Sequence, residues 1–250
     1  MKARLLLISV SLILSCQKDP IKHHLSIRGS EHPKVVVDVP AIATLKFEIP
    51  THAGPDEIRI FLVGRIKDKD GYDLLSYRFD FVKKGKTISQ QMADLPSEED
   101  GAEWSLVEDF LYDPNTHFSD KTFFALHFGY PACGYAQHEF VYEVRGEAIV
   151  PLDHFVSMGD GPYGFYTKLV PLVKEGRVTG FEGHVVEIGS AENDSTIVHN
   201  DDNERLEVTY RDSVSYRFVK GRWRMKRLTP PDKIYRKVNT TYNELYRQHE

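Results

Sequence analysis

The chain has 250 residues, 41% of them hydrophobic, with 14 Phe and 13 Tyr, which is enough apolar side chain to close a core and excludes a disordered class. Its net charge is −5; loss of residues 1–15 would take Lys2 and Arg4 but no acid, leaving 30 basic against 37 acidic residues, or −7. That sign excludes nucleic acid as a partner class, because phosphate backbones require a basic footprint, and it argues against electrostatic attraction to an anionic membrane.

Met1-Lys2-Ala3-Arg4 is a basic head, and Leu5 to Leu14 carries no charge. A basic head, a short apolar run and a small residue before a cut describe a secretory signal peptide over residues 1–15. The run is too short for a membrane-spanning helix, which needs about 20 residues. Ile13-Leu14-Ser15-Cys16 resembles the bacterial lipobox, whose cysteine is acylated and becomes the new N-terminus. The resemblance implies lipidation at Cys16 (palmitate among the acyl groups), attachment to a membrane through that lipid, and location in the cell envelope. Gln17 stands where some bacterial lipoproteins carry an Asp for inner-membrane retention, which by resemblance favours the outer membrane. Gln17-Lys18-Asp19 resembles the surface-export tags of Bacteroidota lipoproteins, and the whole chain resembles their β-rich cell-envelope members.

Residues 16–33 have no apolar period and read as the lipidated cysteine followed by a polar tether. From Val35 onward the pattern is strand-like and defines a β domain over 34–228. VVVDV (35–39), TLKFEI (44–49) and IRIFLVGRI (58–66) are β-rich runs. Lys69-Asp70-Gly71 is a hairpin turn into Tyr72–Val82, where Leu75, Tyr77, Phe79 and Phe81 share one period-2 face. Lys84-Gly85-Lys86 is the next turn. MADLPSEEDGAEW (92–104) reads as an acidic loop, and Trp104, Val107, Phe110 and Leu111 fall at the spacing of a short helix.

Phe123–Phe128 and His138–Val144 are expected as strands around Gly129-Tyr130-Pro131-Ala132-Cys133-Gly134-Tyr135. AIVPLDHF (148–155), Phe165–Val173, Val178–Ile188, Leu206–Tyr210 and Val214–Val219 continue the series, with turns at Arg145-Gly146-Glu147, Glu175-Gly176, Arg211-Asp212-Ser213 and Lys220-Gly221-Arg222. About a dozen short strands at even spacing predict an all-β, mainly antiparallel fold. Segments 123–155, 165–188 and 206–226 hint at a repeat of roughly 40 residues, so a partial propeller stands beside a sandwich or large sheet. Ile234, Val238, Tyr242 and Leu245 predict an amphipathic α-helix within 229–250, packed on the β domain.

The loop around Cys133 is the first candidate site. Tyr130 and Tyr135, with Tyr163 in the turn Gly159-Asp160-Gly161-Pro162-Tyr163-Gly164, offer flat amphipathic surfaces of the kind that bind ligands. A hairpin symmetric about Ala132-Cys133 would make His127 and His138 cross-strand neighbours. Cys133 with either histidine is then a nucleophile–base candidate, because an imidazole raises the thiolate fraction. His127, Cys133 and His138, with His154 or His184, are also weighed as metal ligands, but their gaps of six and five residues lack zinc-site spacing, and no metal or cofactor is expected. Asp68, Asp70 and Asp73 resemble a calcium loop but lack the acid before the glycine, so a plain turn is preferred. His23-His24 and Asn200–Glu204 read as solvated segments. Asp194-Ser195-Thr196 and Asp212-Ser213-Val214 resemble Bacteroidota O-glycan acceptor triplets.

No Walker loop, dinucleotide fingerprint, Gly-x-Ser-x-Gly or His-Glu-x-x-His element occurs in the sequence. The leading expectation is a non-catalytic envelope lipoprotein that binds a protein or glycan through loops 129–137 and 159–166. The alternatives are a thiol enzyme or hydrolase built on Cys133 with His127 or His138, and a structural lipoprotein of a membrane complex.

Overall fold

The computed structural model describes residues 28–29, 39–48, 54–96, 101–112, 118–130, 132, 134–191 and 205–246, and every structural statement below concerns these. The signal segment, Cys16, His23-His24, most of VVVDV, Pro131, Cys133 and 192–204 lie outside them.

The described chain is nearly all β. It runs β1 (Arg28–Gly29), β2 (Ala43–Lys46), β3 (Glu57–Lys67), β4 (Asp73–Lys83), β5 (Lys86–Pro96), β6 (Glu103–Val107), β7 (Phe123–Gly129), β8 (Ala136–Arg145), β9 (Ala148–Asp160), β10 (Tyr163–Lys174), β11 (Arg177–Ser190), β12 (Arg205–Val219), β13 (Arg222–Arg227) and β14 (Ile234–Thr241). A single helical turn, α1 (Tyr242–Tyr246), follows. All pairings are antiparallel, and they form two sheets. One has the order β1-β5-β4-β3-β2. The other runs β13-β12-β11-β10-β9-β8-β7-β6, with β14 also on β12. Strands follow one another as a meander, with no blades, so the propeller alternative gives way to stacked sheets.

The stacking explains why FFALHFG in β7 has almost no polar face. Phe124, Leu126 and Phe128 point toward the first sheet, where Phe79 meets Phe140 at 5.4 Å and Phe81 meets Tyr142 at 5.1 Å. Phe123 and Ala125 point the other way, into a second core with Val150, Leu152, Phe181, Tyr216 and Trp223. β10–β13 therefore fold back over β7–β9, and the middle strands are covered on both sides. Beneath this second interface, Trp223 Nε1 donates to Glu143 Oε2 (3.0 Å), and Arg145 bonds both Glu143 oxygens (2.7 and 3.1 Å) while its guanidinium lies 3.7 Å over Phe218. The buried acid is thereby paired and ties β8 to β12 and β13. A third, smaller core of Val186, Ile188, Leu206 and Val208 sits under Val238, Tyr242 and Leu245. Alternation along β11 puts Phe181 and Val186 on opposite faces.

Four expectations are corrected. Residues 92–96 are not loop: they complete β5, with Ala93 and Leu95 buried. Trp104 begins no helix, because Trp104 and Leu106 alternate inward along β6, and Trp104 stacks on Phe128 at 4.4 Å. Arg211-Asp212-Ser213 is not a hairpin but a bulge within one long strand, β12, with Asp212 at φ 53°. The terminal helix is confined to Tyr242–Tyr246, and Ile234–Thr241 pair with β12, Val238 against Val208. A spacing of four keeps residues on one face of a strand as well as of a helix, and the β-branched Ile, Val and Thr decide for the strand.

Candidate functional site

Strand direction divides the molecule into two ends. At one end lie the β3–β4 turn, the β7–β8 loop, the β9–β10 turn and the start of β6. The β9–β10 turn is tight: Asp160 pairs with Tyr163 across Gly161 (φ 58°) and Pro162. Gly164 lets the strands approach, since a Cβ there would run into the Met158 carbonyl oxygen. The β7–β8 loop is held from within and from outside. Gln137 Nε2 donates to the carbonyls of Tyr130 (2.7 Å) and Tyr135 (3.4 Å). Gly134 N–H donates to Gly159 O at 2.7 Å. That last bond joins loops 129–137 and 159–166 into one surface.

On this surface the Tyr130 and Tyr135 rings lie 4.7 Å apart, both half-buried. Tyr130 covers Gly101, where a Cβ would come within 2.8 Å of its ring. Tyr163 belongs elsewhere, for its ring packs on the third core beside Tyr210 and Tyr242. The aromatic side chain that the β9–β10 hairpin does expose is Tyr166, on the face opposite to that of Phe165 and its cross-strand partner Met158.

The histidines are arranged differently from the symmetric hairpin. The register is offset by one: His127 opposes Glu139, and His138 opposes Phe128. A one-residue offset exchanges faces, so His127 and His138 point to opposite sides of the sheet. His138 is buried and its Nδ1 lies 3.1 Å from His154 Nε2 on β9, with the rings near parallel at 12° and His154 stacked on Phe140. One nitrogen of that contact carries the proton and the other accepts it. His127 lies on the far face with Ser105 Oγ 3.4 Å from its Nδ1. Burial pushes the His127 imidazole below its ordinary value, with Gln137 raising it and His138 lowering it to smaller extents. Burial pushes Glu139 above the ordinary carboxyl range. Base and acid thus face each other, each biased toward its neutral form. Cys133 lies outside the described residues, so neither of its candidate pairings has a geometry here.

His184 is apart from all of these, with its Nδ1 2.6 Å from Tyr235 Oη. Among the described residues no group of three or more His, Cys, Asp or Glu is placed to hold a metal. Asp68 is occupied as a turn residue: its Oδ1 accepts from the backbone N–H groups of Asp70 (2.9 Å) and Tyr72 (2.8 Å), while Asp73 pairs with Lys67. Ser213 of the second glycan-like triplet is buried at the β12 bulge, and its backbone N–H donates to Thr229 Oγ1. Among the described residues no helix is long and apolar enough to cross a membrane.

The chain matches no family model, no curated protein and no solved structure.

Sequence reasoning missed the His138–His154 pair and the Glu139–His127 opposition, because both depend on register. The signal was present: two half-polar strands separated by one short turn place His138 near His154 once the bulge at Val141/Tyr142 is counted.

Proposed function

We propose that this chain is an exported, lipid-anchored module of the cell envelope that binds a protein or glycan without catalysing a reaction. The export and anchoring rest on the signal-like leader and on Ile13-Leu14-Ser15-Cys16. The binding role is supported by one observation above the others, the Gly134–Gly159 hydrogen bond that joins the loop bearing Tyr130 and Tyr135 to the β9–β10 turn. Paired tyrosines expose ring area at small loss of side-chain freedom and keep a hydroxyl for hydrogen bonding, which suits both protein and sugar surfaces.

Calorimetric titration of the purified chain against envelope glycans and envelope proteins checks this. The expected result is saturable binding that weakens at least about tenfold when Tyr130 and Tyr135 are both changed to Ala, the size of a hot-spot loss. Undiminished affinity in a folded double variant overturns the assignment of the face.

A further inference from the structure

The opposite end of the stack has its own chemistry. β4–β5, β8–β9, β10–β11 and β12–β13 all turn there. The register fixes this: Phe81 near the end of β4 meets Tyr142 near the end of β8, and Arg145 reaches Phe218 near the end of β12. Three of the turns place a non-glycine and a glycine at positive φ in succession, Lys84-Gly85 (49°, 73°), Glu175-Gly176 (53°, 73°) and Lys220-Gly221 (51°, 80°). Such two-residue turns throw their flanking side chains outward. What they throw outward is basic: Lys84, Lys86, Lys174, Arg177, Lys220 and Arg222 are all exposed. Glu147 and Glu175 are the acids within these turns, Asp56 lies beside the β4–β5 turn with its Oδ2 accepting from the Lys84 N–H, and Arg145 is engaged by Glu143. The far end is mixed, exposing Asp70, Asp73, Glu103 and Asp160 together with Lys67 and Lys69, with Lys67 paired to Asp73.

Net charge therefore misdescribes the molecule. Strands of about ten residues at about 3.3 Å per residue set the two ends about 30 Å apart, roughly three Debye lengths at 0.1 M salt. A charged surface touching the basic tips is screened from the acids at the other end.

We propose that this hairpin-tip end docks on an anionic phospholipid surface, with headgroup phosphates opposite the tip lysines and arginines. The basic tips come from the two outer layers, on either side of the β8–β9 turn, and spread over a face. Beside them the structure has a shallow open dent lined by Lys174, Glu175, Arg177 and Thr179. A broad basic face fits an extended array of phosphates better than one small anion. Docking this way leaves Tyr130 and Tyr135 directed away from the bilayer. The inference goes beyond the binding role of the tyrosine face and depends on export only for which membrane is met.

The test is flotation of the full chain carrying Cys16→Ser, which removes acylation from the comparison, with vesicles of phosphatidylcholine alone or mixed with phosphatidylglycerol. One variant carries Lys86→Gln, Lys174→Gln, Arg177→Gln and Arg222→Gln; a control carries Lys69→Gln, Lys168→Gln, Lys226→Gln and Lys233→Gln, exposed positions away from the tips. The expected result is binding that needs phosphatidylglycerol, fades by about 0.5 M salt, and weakens at least about tenfold in the tip variant while the control stays within about twofold. Equal partition onto both vesicles, or equal loss from both variants, overturns the inference. So does tip-dependent binding to soluble polyphosphate with none to vesicles, which would make the face a site for soluble polyanions.

Discussion

Tyr142 has a fully buried side chain, and its hydroxyl finds no hydrogen-bond partner among the described residues. Its ring is well used, stacked on Phe124 at 5.4 Å and edge-on to Phe81. Leaving a buried hydroxyl unpaired costs about 1–3 kcal/mol, so Tyr142→Phe should raise stability by up to that amount in denaturant titration; a loss of stability would mean the oxygen is satisfied. Glu139 and His127 make a second prediction. Folding raises the Glu139 value above 4.5, so the folded chain takes up the proton first as pH falls, and the ionised carboxylate weighs against folding at neutral pH. Glu139→Gln should therefore raise the melting temperature at pH 7, with the gain shrinking as pH drops through the folded value and gone below 4.5. His127 has the opposite sign: its folded value lies below 6.5, so its contribution weakens stability as pH falls from 6.5 through the folded value. Melting curves of His127→Gln across pH 5–8 check this through a flatter acid limb. The tyrosines of the 129–137 loop were legible in the sequence because Gly and Pro spacing marks a fixed loop whatever the register. The facing of the histidines was not, because one residue of offset moves each to the other side.

At the scale of elements, alternation and turn chemistry carried most of the fold. β3, β4 and β7–β11 lie where β-rich runs between Gly-centred turns place them. β5 was hidden because MADLP reads acidic and proline-bounded, although Ala93 and Leu95 keep the inward period. β14 was hidden because Ile234, Val238 and Tyr242 satisfy two periodicities at once. Two predictions belong here. Phe123 and Phe124 are neighbours on β7 facing different cores, so Phe123→Ala and Phe124→Ala should each lose about 3–5 kcal/mol in urea unfolding. A near-neutral Phe123→Ala would remove the third layer. Gly164→Ala sets a methyl against the Met158 carbonyl and should destabilise by about 1–3 kcal/mol; faster amide exchange is expected first over 158–165, the strand ends that carry the proposed face.

For the whole molecule, the fold gives two ends different surfaces: paired tyrosines with mixed charge at one, and mainly lysines and arginines on hairpin tips at the other. Composition alone, with its net −5, conceals this, because segregation follows from which turns share an end, and that is fixed by the stacking of three layers. The account requires the tyrosine end to meet its partner in the envelope. Site-specific photo-crosslinking in cells tests that most directly, with the photoreactive residue at Tyr135 in one strain and at exposed Val173, near the opposite end, in another. The account predicts a discrete adduct with an envelope protein or glycan from position 135 and its absence from position 173. Identical adducts from both positions, or adducts with cytosolic proteins alone, would contradict it.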